Sequence, residues 1–169
     1  MATIVINPSD VATAAIANTW FVNATYYATK TANTSRTSTT TSADDPDITV
    51  TVAANSTYEI QLLLQYEGAT AGDLKYQLNC PAGATLYACE HSLQNAATDG
   101  TFDEINPRNV NADANSGALG AGVGAVVLVT GQLVITTGGV VKLQWAQATS
   151  SATATIMKAG TFLLLRRIA

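Results

Sequence analysis

Between Thr39 and Gly68 the chain reads TTTSADDPDITVTVAANSTYEIQLLLQYEG, and hydrophobic residues recur there at every second position. Ile48, Val50 and Val52 point one way and Thr49 and Thr51 the other. After an Ala-Ala-Asn-Ser break, Tyr58, Ile60, Leu62, Leu64 and Tyr66 share one face. A period of two in β-branched, aliphatic and aromatic residues predicts half-buried strands. The acidic Asp44-Asp45-Pro46-Asp47 predicts a turn before them.

The same alternation continues downstream. In DLKYQLNC, Leu74, Tyr76 and Leu78 alternate with Lys75, Gln77 and Asn79. Pro81-Ala82-Gly83 carries turn chemistry, and Ala84 to Glu90 reads as the return strand of a hairpin. From His91 to Gly124 the pattern fails, which predicts a long exposed loop bearing Asp99, Asp103, Glu104 and Asp113. Residues 125–136 (AVVLVTGQLVIT) are nearly continuously apolar, as a strand buried on both faces would be. Gly138-Gly139 turns the chain into residues 140–147, and residues 161–168 form the last strand. About eight strands at short spacing, with no convincing helix after residue 20, predict an all-β fold. The expected architecture is a single β-sandwich of jelly-roll or Greek-key type.

The first 29 residues are harder to place. Ile4-Val5-Ile6 suits a short strand, and Ser9-Asp10 suits the cap of a helical turn. Trp20, Phe21, Tyr26 and Tyr27 cluster just before a polar Ser/Thr run. Two readings stand side by side: an N-terminal arm that buries these aromatics on a partner, or the first strand of the domain itself. The division is therefore residues 1–29 as arm or first strand and residues 30–169 as the sandwich. By composition residues 30–43 read as a linker or as a polar edge strand.

Composition narrows the function classes. At 169 residues the chain suffices for one domain with a real core. Charged residues make up 12%, about half of the roughly 25% of an ordinary domain. Its surface is therefore rich in Thr, Ser, Asn, Gln and Ala, which are cheap to desolvate and suited to packing against neighbours. The net charge is −4 and eight basic residues form no stripe, so direct nucleic-acid binding is not expected. No apolar run approaches the ~18 residues of a membrane helix, and no membrane partner is expected. Residues 1–20 lack a basic region and a continuous apolar segment, so a secretory signal is not expected there. Cys80 and Cys89 are too few for a disulfide framework. They read as free, buried thiols of a protein made in a reducing cytoplasm. Sequons at Asn23, Asn33 and Asn55 are what a Thr- and Asn-rich chain gives by chance.

Candidate chemistry is sparse. Asp44, Asp45 and Asp47 offer oxygens to a hard cation, but Ca²⁺ takes six to eight ligands and no second cluster follows; turn chemistry accounts for them. GALGAGVG at 117–124 follows a loop and leads into a strand, whereas a dinucleotide fingerprint follows a strand and opens a helix. Cys89 and His91 lie on one strand face, yet no third group is placed by sequence to complete a catalytic set. No cofactor, metal or enzymatic activity is expected.

Three long segments resemble a jelly-roll module of tailed-bacteriophage virions. They are KTANTSRTSTTTSADDPDITVTVAANSTYEIQLLLQYEG, DLKYQLNCPAGATLYA and GQLVITTGGVVKLQWAQATSSATATIMKAGTFLLLRRI, which in order cover most of residues 30–169. The resemblance implies an architecture like that of tumour necrosis factor and a homotrimer. It implies a structural role on the virion: a capsid decoration (cement) protein bound to the major capsid protein, or a head- or tail-fibre knob that binds a host receptor or surface glycan. It carries no catalytic residues. The absence of repeats or a heptad stalk favours decoration. Tyr58, Tyr66, Trp145 and Phe162 are then candidates for core or trimer interface, and Trp20, Phe21, Tyr26 and Tyr27 for a capsid-contacting arm.

Overall fold

The structure, a computed structural model, describes residues 24–93, 102–107 and 109–169, the side chains of Leu93 and of residues 102–107 excepted. Its strands follow the period-two signal. They are β1 (Thr25–Thr29), β2 (Thr34–Arg36), β3 (Ala43–Val52), β4 (Ser56–Gly68), β5 (Leu74–Asn79), β6 (Thr85–Leu93), β7 (Phe102–Pro107), β8 (Ala114–Ser116), β9 (Gly120–Ile135), β10 (Gly139–Gln147), β11 (Thr155–Met157) and β12 (Phe162–Arg167). No helix occurs among the described residues.

The strands β3 to β10 are a long hairpin folded over on itself. Antiparallel ladders join β3 to β10, β4 to β9, β5 to β8 and β6 to β7. Rolling this ladder adds the pairs β10–β5 and β6–β9. One sheet then has the order β3-β10-β5-β8 and the other contains β4-β9-β6-β7. This is the jelly roll, two antiparallel sheets closed over one core. β12 adds to the free edge of β4 and β1 adds to β12, while β11 bridges β4 and the short β2.

Apolar residues of both sheets fill the interior. Tyr58, Ile60, Leu62, Leu64 and Tyr66 of β4 are all within 1% of full burial. They meet Ile48, Val141, Leu143, Trp145, Leu74 and Leu133, which are equally sealed. The two tyrosines keep their hydroxyls satisfied: Ala53 N–H donates to Tyr58 Oη at 2.9 Å, and Tyr66 Oη pairs with Ser116 Oγ at 2.8 Å. Burial also holds the Tyr66 phenol above its ordinary pKa.

Several local expectations are corrected. Pro81-Ala82-Gly83 does turn the chain, with Ala84 N–H donating to Pro81 O and Gly83 at φ 76°. It does not make a hairpin, because β5 and β6 lie in different sheets. Gly138-Gly139 likewise carries the chain from one sheet to the other. A jelly roll requires these crossings, and a turn motif looks the same whether the next strand pairs back or crosses over. The stretch from His91 to Gly124 is not one loop: it holds β7, β8 and the start of β9, while residues 94–101 lie outside the described residues. β9 alternates buried Val127, Val129, Leu133 and Ile135 with half-buried Val126, Leu128 and Val134, so its second face is open to a degree the apolar run did not suggest. The count of about eight strands becomes twelve among the described residues, because short edge pieces carry too few residues to show a period.

Candidate interaction face

The acidic cluster is not a turn between strands but a bulge within β3. Lys142 stands opposite Thr49 and Gln144 opposite Asp44, so the single residue between them on β10, Leu143, is matched by four on β3. Asp45 shapes that bulge. Its Oδ1 accepts from the N–H groups of Asp47 at 3.0 Å and Ile48 at 3.3 Å. Its Oδ2 accepts from Trp145 Nε1 at 3.0 Å.

Lys30, directly after β1, closes the network. Its side chain and that of Asp45 are both fully buried, and its ammonium lies 3.0 Å from Asp45 Oδ2 and 3.2 Å from Asp47 Oδ2. Arg36 stacks on Trp145, 4.6 Å from the ring centroid, and donates to the carbonyls of Ala43 and Asp44 at 3.0 Å. Asp44 points out and takes hydrogen bonds from Lys142 and Gln144, which hold its carboxyl below its ordinary pKa. Each of the three aspartates thus has side-chain partners within the protein, and among the described residues no group of three potential metal ligands comes together. The arrangement ties β1, β3 and β10 together, which is a structural task.

The outer face of the larger sheet is open as well. On it β1, β12, β4, β9 and β6 lie side by side, and their register sets side chains in rows. One row runs Thr25, Arg166, Glu59, Gln132, Tyr87. The next runs Tyr27, Leu164, Gln61, Thr130, Cys89, and a third runs Thr29, Phe162, Leu63, Leu128, His91. Tyr27 and Tyr87 stand out at 58% and 66% exposure, and the rings of Tyr27 and Phe162 are 5.8 Å apart. Arg166 pairs with Glu59. Between them and Gln132 runs a groove of about 410 Å³, floored at Gly131. Gly131 has φ +157°, and a Cβ there would stand 2.2 Å from the Tyr87 carbonyl oxygen; β6 and β9 approach this closely because the side chain is missing.

The sequence candidates separate on this frame. Tyr58, Tyr66 and Trp145 are fully buried in the core, leaving Phe162 as the member of that set on an open face. Tyr26 packs edge-on against Tyr58, with centroids 5.8 Å apart, whereas Tyr27 faces outward. Trp20 and Phe21 lie outside the described residues. Cys80 is buried, and burial pushes its thiol up to about 12. Cys89 is exposed, against expectation, because outward positions of β6 are odd-numbered. His91 shares its exposure.

Leu63, Leu164 and Leu128 had escaped the sequence reading. Their signal was the interruption of alternation: Leu62-Leu63-Leu64 and Leu163-Leu164-Leu165 put leucine on both faces of a strand.

Fold and face together define a jelly-roll β-sandwich with one partly apolar outer surface. No family model matches the chain, and no curated protein does. Among solved structures it is similar to infectious bursal disease virus Gt strain (11% identity, TM-score 0.25, covering 99% of this chain and 45% of that one). Similar overlaps are found with the Gx strain (12%, TM-score 0.24, 98% and 46%) and with the VP2 subviral particle of that virus (10%, TM-score 0.24, 100% and 46%). The chain spans less than half the length of these neighbours, and at such scores the likenesses carry no argument about function.

Proposed function

We propose that the protein is a structural virion component, a homotrimer that decorates the capsid of a tailed phage and clamps neighbouring major-capsid subunits. The observation that carries this reading is the outer face of the larger sheet: a half-open apolar surface on a rigid sandwich whose sequence is only 12% charged. Such a face is suited to burial against another protein. The resemblance of most of residues 30–169 to virion jelly rolls points the same way.

In this reading the trimer stabilises the shell by mass action, because it binds the assembled lattice and not its dissociated subunits. Three contact sites on one trimer add avidity without any single strong site. Residues 1–23, with Trp20 and Phe21, serve as the capsid-contacting arm, while Tyr26 and Tyr27 belong to the trimer body. No step of catalysis enters.

Light scattering on the purified protein tests the trimer: the expected mass is three times 17.5 kDa. Labelling of particles tests the role. Many copies over the shell support decoration, whereas a few at one vertex or on the tail replace it with a receptor-binding knob. Deleting residues 1–23, which leaves β1 intact, is expected to keep the trimer and abolish capsid binding.

A further inference from the structure

The buried Lys30–Asp45 pair has more around it than an ion pair needs. The Lys30 nitrogen is 3.1 Å from Asp45 Oδ1 and 3.0 Å from Oδ2, so it faces the carboxyl carbon between them. Both side chains are sealed from solvent. The backbone of Lys30 is pinned twice: its N–H donates to Thr161 O at 2.8 Å, and its carbonyl accepts from Gly160 N–H at 2.9 Å. Asp45 is held as firmly, with the N–H groups of Asp47 and Ile48 on Oδ1 and Trp145 Nε1 on Oδ2. A second carboxylate, that of Asp47, stands 3.2 Å from the same nitrogen, with its side chain 32% exposed. An amine, a carboxyl group and a neighbouring acid, fixed within about 3–3.5 Å of one another, are the components of a condensation.

We propose that Lys30 and Asp45 join in an internal amide (isopeptide) bond, which the folded chain forms by itself with Asp47 carrying the protons. Lys30 Nζ bonds to Asp45 Cγ, and the bond from Cγ to Oδ2 breaks. Asp47 takes a proton from the ammonium, which frees the lone pair for attack, and delivers it to the departing Oδ2. A second proton follows from the nitrogen by the same route. One water leaves, one N–H stays on the new amide, and nothing is oxidised or reduced. The two backbone N–H groups on Oδ1 are placed to hold the negative charge that gathers there in the tetrahedral intermediate. Trp145 Nε1 steadies the departing oxygen in the same way, and the open side of Asp47 gives the water an exit.

Burial gives the reaction its direction. An ammonium and a carboxylate taken out of water carry a desolvation cost that their attraction offsets only in part. The amide removes both charges and keeps the partners, because its oxygen still accepts from Asp47 and Ile48 and its N–H can donate to the Asp47 carboxylate. The gain for the protein is mechanical. Lys30 directly follows β1, an edge strand of the larger sheet, and β3 is an edge strand of the smaller one. The bond therefore laces the two sheets together where their edges adjoin, and peeling β1 from β12 no longer frees it from the sandwich.

Mass spectrometry of the denatured full chain reads the bond. Protein that has folded and stood overnight at neutral pH is expected to be lighter by one water than the unlinked chain. Trypsin is expected to leave Lys30 uncut and to yield one branched species, joining the peptide that ends at Arg36 to residues 37–75. Lys30→Arg keeps the charge without an amine that can condense, and is expected at its full mass. Asp47→Asn keeps the pair but removes the proton carrier, and is expected to lose water many-fold more slowly than the wild type. A wild type that stays at full mass overturns the bond and leaves an ion pair only, and so does a missing water that maps to any other residue. Bond formation in Asp47→Asn at the wild-type rate overturns the part given to Asp47. Should the variants fail to fold, the wild-type digest decides alone: the branched peptide supports the bond, and free cleavage after Lys30 overturns it.

Discussion

The two faces of strand β4 differ as much as any two regions of the molecule. Inward, Tyr58, Ile60, Leu62, Leu64 and Tyr66 are sealed between the sheets. Outward, one residue away at each step, Glu59 and Gln61 are exposed and Leu63 and Gln65 half-buried. The inner face does the folding, and its contacts are complete within one chain. The outer face leaves Leu63, Leu128, Leu164 and Phe162 only half-buried. A strand of this kind serves stability with its even-numbered residues and leaves its odd ones at the surface.

The largest expected effect breaks the inner side of that contrast. Lys30→Met leaves Asp45 charged, buried and without its cation, and removing one partner of a buried pair costs about 3–5 kcal/mol. Denaturant unfolding is expected to show that loss, with much of it recovered in Lys30→Met/Asp45→Asn. Full stability in Lys30→Met would mean that the network is dispensable.

The sharpest comparison uses adjacent leucines. Leu62→Ala opens a cavity between the sheets and is expected to cost about 2–5 kcal/mol. Leu63→Ala removes the same atoms from the outer face, with an expected cost in the isolated subunit below about 1.5 kcal/mol, and weakens association instead. Equal destabilisation of the monomer by the two would erase the distinction between faces.

Gly131→Ala acts on the groove from below. A methyl 2.2 Å from the Tyr87 carbonyl oxygen has to push β6 off β9, and overpacking of this sort costs about 1–3 kcal/mol. Hydrogen exchange is expected to accelerate at β6 before it does at β4.

Asp44 should matter least. It sits at the surface with its side chain 49% exposed, so Asp44→Asn is expected to cost less than about 1 kcal/mol. The Lys142 and Gln144 hydrogen bonds lower its folded pKa. Its contribution is therefore full above the unfolded carboxyl value of about 3.9 and is lost as pH falls through the lower folded value. Below that range, wild type and Asp44→Asn should have the same denaturation midpoint.

Much of the sandwich could be read in advance because alternation is a local signal. β3, β4, β5 and β12 announce themselves in the spacing of Val50, Leu62, Tyr76 and Leu163. What alternation cannot carry is pairing. Nothing near Pro81 or Gly138 says that the next strand crosses to the other sheet, and nothing in Ala114–Ser116 says that three residues find an edge at β5. The polar network was invisible for a similar reason: Lys30, Asp45 and Trp145 are far apart in sequence and meet only once three strands are in place. The outer face was half legible. Its leucines stand in triplets that break the alternation, but which of their neighbours share a row depends on a register set by the whole sheet.

The position of β12 has a consequence for the order of events in folding. It is the last of the twelve strands, yet it lies between β1 and β4, paired to both. Until Phe162–Arg167 has been made, β4 carries an unpaired edge and β1 has no strand to join. Closing such distant segments is slow, and an open edge next to an apolar strand invites pairing with other chains. A chain that stops before Phe162 therefore lacks both the finished sheet and the strand that β1 pairs with.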